Sequence, residues 1–217
     1  MVPLITQPAI NGKVTYLEKH GTGDQNATGA YELDVTLLSN FSAAWREMHV
    51  KSDVFCAASL TLPDRAGRQI NIGGWANDDT YAIRLYAPDG SPGVLGKNDW
   101  EEDSKLLRMQ AGRWYPSAMM MVNGSVLVLG GQVGSDGAPV PNLEVIPKPS
   151  GGYVKFLDWL KRTDPYNLYP FMVVLPGGGI FVAYYNEARI LDEVTFETIK
   201  VLPNIPAAVN NFLGGRT

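Results

Sequence analysis

Two residues of this 217-residue chain could do distinctive chemistry together: Cys56, its single cysteine, and Tyr115. A lone thiol beside a phenol can be oxidised, with the help of a bound copper ion, to a thioether joining sulfur to the aromatic ring. The substituted phenol is then easier to oxidise to a radical. The plainer alternative is a free cysteine packed as a small hydrophobe beside a core tyrosine, and the two residues alone leave both readings open. Their placement is the stronger signal. Cys56, Tyr115 and Tyr169 occupy the same position in three self-similar segments, FCAASLTLPDRAGRQINIGGW (55–75), WYPSAMMMVNGSVLVLGGQ (114–132) and LYPFMVVLPGGGIFVAYYN (168–186).

Each segment reads as a β-hairpin. Small and apolar residues lead to a turn (62–67, Asn123-Gly124 or 176–179), and a β-branched run, QINI, SVLVL or IFVAYY, leaves it. The repeat spacing of roughly 50 to 60 residues matches the period of kelch propeller blades. A further alternating stretch follows each hairpin, AIRLYAP (82–88), NLEVIPK (142–148) and EARILDE (187–193), and supplies the outer part of a four-stranded blade. The pairs Gly73-Gly74 and Gly130-Gly131 close strands where backbones crowd toward the axis. Upstream, KVTYLEKH (13–20) and AYELDVTLL (30–38) read as an exposed hairpin of an earlier blade. The expected fold is all-β, a kelch-type β-propeller arc of about four blades, residues 1–217 being the N-terminal portion of a propeller domain.

Composition agrees and narrows the function. Hydrophobic residues make up 45% of the chain and charged ones 18%, enough for a packed core, and 23 Gly and 15 Pro favour turn-rich β structure. A net charge of −4 without a basic run leaves no electrostatic footprint for nucleic acid or an anionic membrane, so neither is an expected partner. One cysteine excludes an intrachain disulfide and a Cys-rich zinc site, and the two histidines, His20 and His49, offer little for a His-based metal cage. No apolar stretch is long enough to span a bilayer, and VPLITQP after Met1 shows neither the charged nor the apolar region of a signal peptide. Three sequons, at Asn26, Asn40 and Asn123, nevertheless lean toward an extracellular, N-glycosylated protein.

Other eye-catching residues have ordinary readings. Asp99, Glu101, Glu102 and Asp103 suit an acidic surface loop, because no ligand spacing recurs and Trp100 interrupts them. Met119, Met120 and Met121 alternate between the faces of a strand and suit core packing. Gly177-Gly178-Gly179 precedes a strand and not a helix, which removes a phosphate cradle. Trp45, Trp75 and Trp159 are core candidates, with Trp75 also placed to rim the axial channel.

The motifs Asp53-Val54-Phe55-Cys56 and Arg113-Trp114-Tyr115-Pro116-Ser117, each followed by its Gly-Gly strand, resemble the glyoxal oxidase group of fungal and plant copper radical oxidases, relatives of galactose oxidase. The resemblance runs from about Val14 to Thr217 and continues through Asn167-Leu168-Tyr169-Pro170, Ile190-Leu191-Asp192 and Leu202-Pro203-Asn204-Ile205-Pro206. It implies a propeller of seven blades in the complete protein and a following β-sandwich domain. It further implies a Cys56–Tyr115 thioether radical cofactor, with Tyr115 as a copper ligand. An axial Tyr and two His would complete the copper site from beyond Thr217, and His20 and His49 match neither histidine. In galactose oxidase a Trp stacks on the thioether; the matching position here is Val133. That difference points to an aldehyde or another primary alcohol as substrate, and to a less shielded radical.

The resulting expectation is a copper radical oxidase that passes electrons from an aldehyde or primary alcohol to O2 and yields hydrogen peroxide. The chain by itself is expected to be inactive, its downstream half being a separate or missing segment. The competing reading is a non-catalytic kelch module that binds a protein or glycan through its blade loops. Matched Cys and Tyr at axial positions favour the enzyme.

Overall fold

A computed structural model describes residues 2–23 and 28–206. Among the described residues, sixteen strands form four antiparallel sheets of four. The first holds β1 (Pro3–Pro8), β2 (Lys13–Glu18), β3 (Thr28–Asp34) and β4 (Trp45–Val50). The second holds β5 (Ala58–Thr61), β6 (Gln69–Ile72), β7 (Ile83–Tyr86) and the short β8 (Glu101–Glu102). The third holds β9 (Ser117–Met120), β10 (Val126–Leu129), β11 (Asn142–Ile146) and β12 (Val154–Phe156). The fourth holds β13 (Phe171–Val174), β14 (Ile180–Tyr184), β15 (Glu187–Leu191) and β16 (Thr198–Val201).

Within each sheet the strands follow chain order, and the first strands of successive sheets pack against each other, β1 on β5, β5 on β9 and β9 on β13. Four meanders stacked through their first strands around one axis are the blades of a β-propeller arc. Three of the expected hairpins are β5–β6, β9–β10 and β13–β14, and the later alternating stretches are β7, β11 and β15. The upstream hairpin is β2–β3, the middle of the first blade. It ends sooner than its sequence suggests because the Asp34 carboxylate accepts from the Thr36 amide and starts a 3-10 turn, Val35–Leu37. The Gly-Gly pairs end second strands, β6 and β10, and not the innermost ones.

Burial explains the sequence patterns. β6 and β10 are buried at every position because neighbouring blades cover both their faces, so they read as unbroken runs and not as alternation. β9 is half-buried throughout, as an edge strand whose outer side has no partner in its sheet. Three apolar cores fill the gaps between blades. Leu17, Met48, Val54, Tyr86 and Trp100 lie between the first and second. Ile70, Ile72, Ile83, Met109, Val126 and Val128 lie between the second and third. Leu127, Leu143, Trp159, Leu160, Ile180, Tyr184 and Phe196 lie between the third and fourth.

The methionines divide as alternation requires, Met119 and Met121 toward the fourth blade and Met120 toward the second. Trp159, on the helix α2 (Asp158–Thr163), is buried as expected. Trp45 is only half-buried and tilts against Tyr16 and Phe41, and Trp75 is 45% exposed, so neither belongs to a core. Among the described residues no helix is long and apolar enough to cross a membrane.

Candidate active site

Cys56, Tyr115 and Tyr169 each stand just before the first strand of a blade, and each has a left-handed backbone, with φ of 61°, 59° and 51°. A non-glycine residue held there costs roughly 1–3 kcal/mol, and such strain clusters at functional sites. The backbone links the three in sequence. The Tyr115 amide donates to the Cys56 carbonyl at 3.0 Å, and the Tyr169 amide donates to the Tyr115 carbonyl at 3.2 Å. Successive blades are thus stitched together at the residues that carry the candidate chemistry.

The flanking motif residues build the frame. Asp53 accepts the Phe55 amide at 2.8 Å and its own amide donates to Asp79. Arg113 is fully buried, donates to the Gly130 carbonyl at 2.8 Å, and pairs with Glu144 at 3.0 Å. Arg84, equally buried, donates to the Gly73 carbonyl at 2.6 Å and to Asn71. Each Gly-Gly corner therefore leans on one buried guanidinium. Glycine is required at Gly131, where φ is 96° and a Cβ would stand 2.7 Å from the Trp114 carbonyl oxygen. Asp53 and Arg113 do not touch the thiol or phenol; they fix the loops that present them.

The Tyr115 ring is wedged between two aromatics. Trp114 meets it edge-on with centroids 4.3 Å apart, and Tyr169 at 4.6 Å and 66°. The Tyr169 hydroxyl reaches back to the Ala57 carbonyl at 3.4 Å, beside Cys56. Hydrogen bonding to Cys56, then burial, pushes the Tyr115 phenol up to about 12. Burial pushes the Cys56 thiol up, against the opposing pull of Tyr115 and Trp114 as donors to its thiolate. Burial also raises the Tyr169 phenol, reinforced by the charges that Cys56 and Tyr115 would carry. Without a metal, all three groups stay neutral at physiological pH. With the thiol neutral, the buried Trp114 indole nitrogen has no hydrogen-bond partner among the described residues.

Tyr169 is the functional candidate that spacing alone did not single out. Its place in the repeat was visible, but its ring contact with Tyr115 depends on the angle between blades. Val133 is 48% exposed, and the flanking of the Tyr115 ring comes instead from Trp114 and Tyr169. An open cavity of about 390 Å³ adjoins Tyr169, lined by Ala57, Ser59, Pro116, Ser117 and Met172 among others, and gives the axial face of these strands room for a small substrate.

Among the described residues no three His, Cys, Asp or Glu side chains converge. The donors at this site are two phenol oxygens and one thiol, which fit the phenol and thiol half of a copper radical centre but do not make a copper cage. His20 and His49 are exposed, and His49 pairs with Asp99 at 2.7 Å. The acidic stretch is not wholly the loop its sequence suggests, since Glu101 and Glu102 form β8 against β7; Glu102 accepts from Lys51 and Ser52, and Asp103 from Lys105. The sequon residues Asn40 and Asn123 are exposed. Asn26 lies outside the described residues.

A family model described as the glyoxal oxidase N-terminus matches residues 22–215. A WSC domain-containing protein of Arthroderma benhamiae is 64% identical over 217 residues, 100% of this chain and 23% of its own length. The aldehyde oxidase GLOX of Vitis pseudoreticulata is 29% identical over 169 residues, 77% of this chain and 30% of its own. The chain thus spans between about a quarter and a third of these relatives. A solved structure of a fungal alcohol oxidase of the AA5 family, in complex with copper, shares the fold with a TM-score of 0.55 and 15% identity, over 90% of this chain and 40% of the other.

Proposed function

The chain belongs to the glyoxal oxidase N-terminal family, and we propose that in the whole protein it carries the radical half of a copper oxidase acting on an aldehyde or primary alcohol. The observation that supports this most is the convergence of Cys56 and Tyr115, both in left-handed backbone, with the Tyr115 amide donating to the Cys56 carbonyl at 3.0 Å. A core cysteine beside a core tyrosine needs neither the strain nor the backbone link. The names of the relatives, an aldehyde oxidase and a copper-bound alcohol oxidase, point the same way.

In this reading the Cys56 S–H and one Tyr115 ring C–H give way to a sulfur–carbon bond, O2 taking up the two protons and two electrons released, and the phenol oxygen faces the substrate. The oxidised Tyr115 takes a hydrogen atom from the substrate carbon, Trp114 and Tyr169 holding its ring in place. Copper, when bound, would supply the second one-electron site, with the Tyr115 oxygen among its ligands and the others contributed from outside the described residues. The substrate loses two electrons and two protons in all, and O2 takes them up as hydrogen peroxide. The exposed Phe171, Val173, Ile199 and Val201 offer the fourth blade a surface for the next one. We place the protein outside the cell, glycosylated at the exposed Asn40 and Asn123.

Peptide mapping of the intact protein after exposure to copper and air tests the assignment. A branched peptide joining the Cys56 and Tyr115 segments, lighter by two hydrogens, is expected. Recovery of Cys56 as a freely alkylated thiol from copper-loaded, active protein would refute it. Deglycosylation followed by intact-mass measurement tests the sequons on secreted material; no mass loss would remove the glycoprotein assignment.

A further inference from the structure

We propose that the cleft between the second and third blades binds a small amphipathic carboxylate, its hydrocarbon part inside the cleft and its charge at Lys148. The proposal is independent of the Tyr115 chemistry, because the cleft opens at the turn end of strands β5 and β9, opposite Cys56 and Tyr115.

The three gaps between blades are filled differently. Tyr86 and Trp100 plug the first, and Trp159, Tyr184 and Phe196 plug the third. The middle gap has no aromatic residue in its core, only Ile70, Ile72, Ile83, Met109, Val126 and Val128. This gap opens into a cavity of about 570 Å³, several times the volume of one aromatic side chain, with Leu62, Leu85, Leu107 and Ile146 as walls. Ligand pockets span about 300–1,000 Å³ and combine apolar walls with a few placed polar groups.

The charges at the mouth select the occupant. Arg68 is held by Asp64 at 2.7 Å, and Arg108 by Asp78 at 3.2 Å while lying over the Tyr81 ring. The cleft's buried carboxylate, Glu144, is committed to Arg113. Lys148 lines the same cleft, is exposed, and has no ion pair or hydrogen bond among the described residues. Arg68 and Arg108 are each offset by their own carboxylate, so the uncompensated charge at the mouth is that of Lys148: it repels a cationic ligand and gives an anion a contact that a neutral ligand cannot make. An apolar chain ending in a carboxylate satisfies both the walls and the mouth.

The test is calorimetric titration of decanoate, and of decanol as its neutral counterpart, into the intact protein. Saturable one-to-one binding of decanoate, tighter than decanol, is expected. Lys148→Glu should weaken decanoate roughly tenfold or more, the loss of one charge-assisted contact, and leave decanol unchanged. Leu107→Trp, which places an indole where the other gaps carry one, should abolish binding of both. If that variant does not fold, Lys148→Glu decides alone. No saturable decanoate binding, or binding indifferent to Lys148→Glu, overturns the proposal. So does self-association in sedimentation that Leu106→Glu abolishes, Leu106 being an exposed residue of the cleft lining, which would make a second copy the occupant.

Discussion

The amide of Tyr115 donates to the carbonyl of Cys56, so the two residues that would share a covalent bond are already joined through their backbones across two blades. Their relative position does not depend on either side chain. Both sit at positive φ, a conformation glycine adopts without penalty and other residues do not. Cys56→Gly is therefore expected to be more stable than Cys56→Ser, by about 1 kcal/mol, because serine keeps the strain and glycine releases it. Chemical denaturation of the two variants side by side checks this. Equal midpoints would mean that the left-handed backbone at Cys56 carries no strain.

Tyr115→Phe should abolish peroxide production in the complete enzyme, because the phenol oxygen is lost. Cys56→Ser should cut turnover severely while leaving copper bound, because only the thioether is lost. Neither should unfold the protein, since the ring contacts with Trp114 and Tyr169 survive the first change and the backbone link survives both. Turnover assays with copper analysis on the same preparations distinguish the cases; near-normal peroxide from Tyr115→Phe would show that the radical lies elsewhere.

Tyr169 separates ring packing from hydroxyl chemistry. Tyr169→Phe keeps the edge-on contact with Tyr115 and loses only the hydrogen bond to the Ala57 carbonyl at 3.4 Å. Tyr169→Leu loses the ring, and with it an aromatic contact of about 0.5–1.5 kcal/mol. The Leu variant should hold the oxidised state for a shorter time, read from the decay of its radical absorbance without substrate, and the Phe variant should resemble wild type. A Phe variant that decays as fast as Leu would place the effect in the hydroxyl.

Much of this was legible in the sequence because a repeated blade writes the same turn and strand chemistry several times. The hairpins at β5–β6, β9–β10 and β13–β14 share turn residues and β-branched runs, and that repetition aligned Cys56 with Tyr115 and Tyr169. The fourth strands were not legible. β8 is two residues long and β16 is exposed throughout, so neither carries an apolar pattern. Arg84 and Glu144 were missed for a different reason: as buried charges they depend on partners distant in the chain, Gly73 and Arg113, which only the packed blades bring near. The Tyr115–Tyr169 ring contact depends likewise on the angle between blades, which no local sequence encodes.

The phenol of Tyr115 gives a pH test in the metal-free protein with the thiol intact. Its ordinary value of 10 is raised to about 12, chiefly by Cys56 and then by burial. A group raised on folding contributes stability that is fully present below its unfolded value and lost as pH rises through its folded one. Tyr115 should therefore favour the native state below pH 10 and cease to do so by about pH 12. The difference in phenolate absorbance between wild type and Tyr115→Phe should appear near pH 12, and move down when Cys56→Ala removes the hydrogen bond. A difference already complete near pH 10 would mean that thiol and phenol do not interact.

Arg113 is two residues from Tyr115 and has no solvent exposure, so its worth is structural and severe. Its guanidinium pairs with Glu144 at 3.0 Å and also donates to the Gly130 and Asn142 carbonyls. Arg113→Met leaves the Glu144 carboxylate buried without its cation, a change of about 3–5 kcal/mol. The double variant Arg113→Met with Glu144→Leu removes the orphaned charge and should recover part of that loss. It cannot recover all of it, because the Gly130 carbonyl loses its guanidinium donor while the Asn142 carbonyl keeps only the Gly130 amide, and a buried unsatisfied polar group costs about 1–3 kcal/mol. Denaturant midpoints of the wild type, both single variants and the double variant close the thermodynamic cycle. If the double variant is no more stable than Arg113→Met, the bonds to Gly130 and Asn142, and not the ion pair, are what holds the Gly-Gly corner beneath Tyr115.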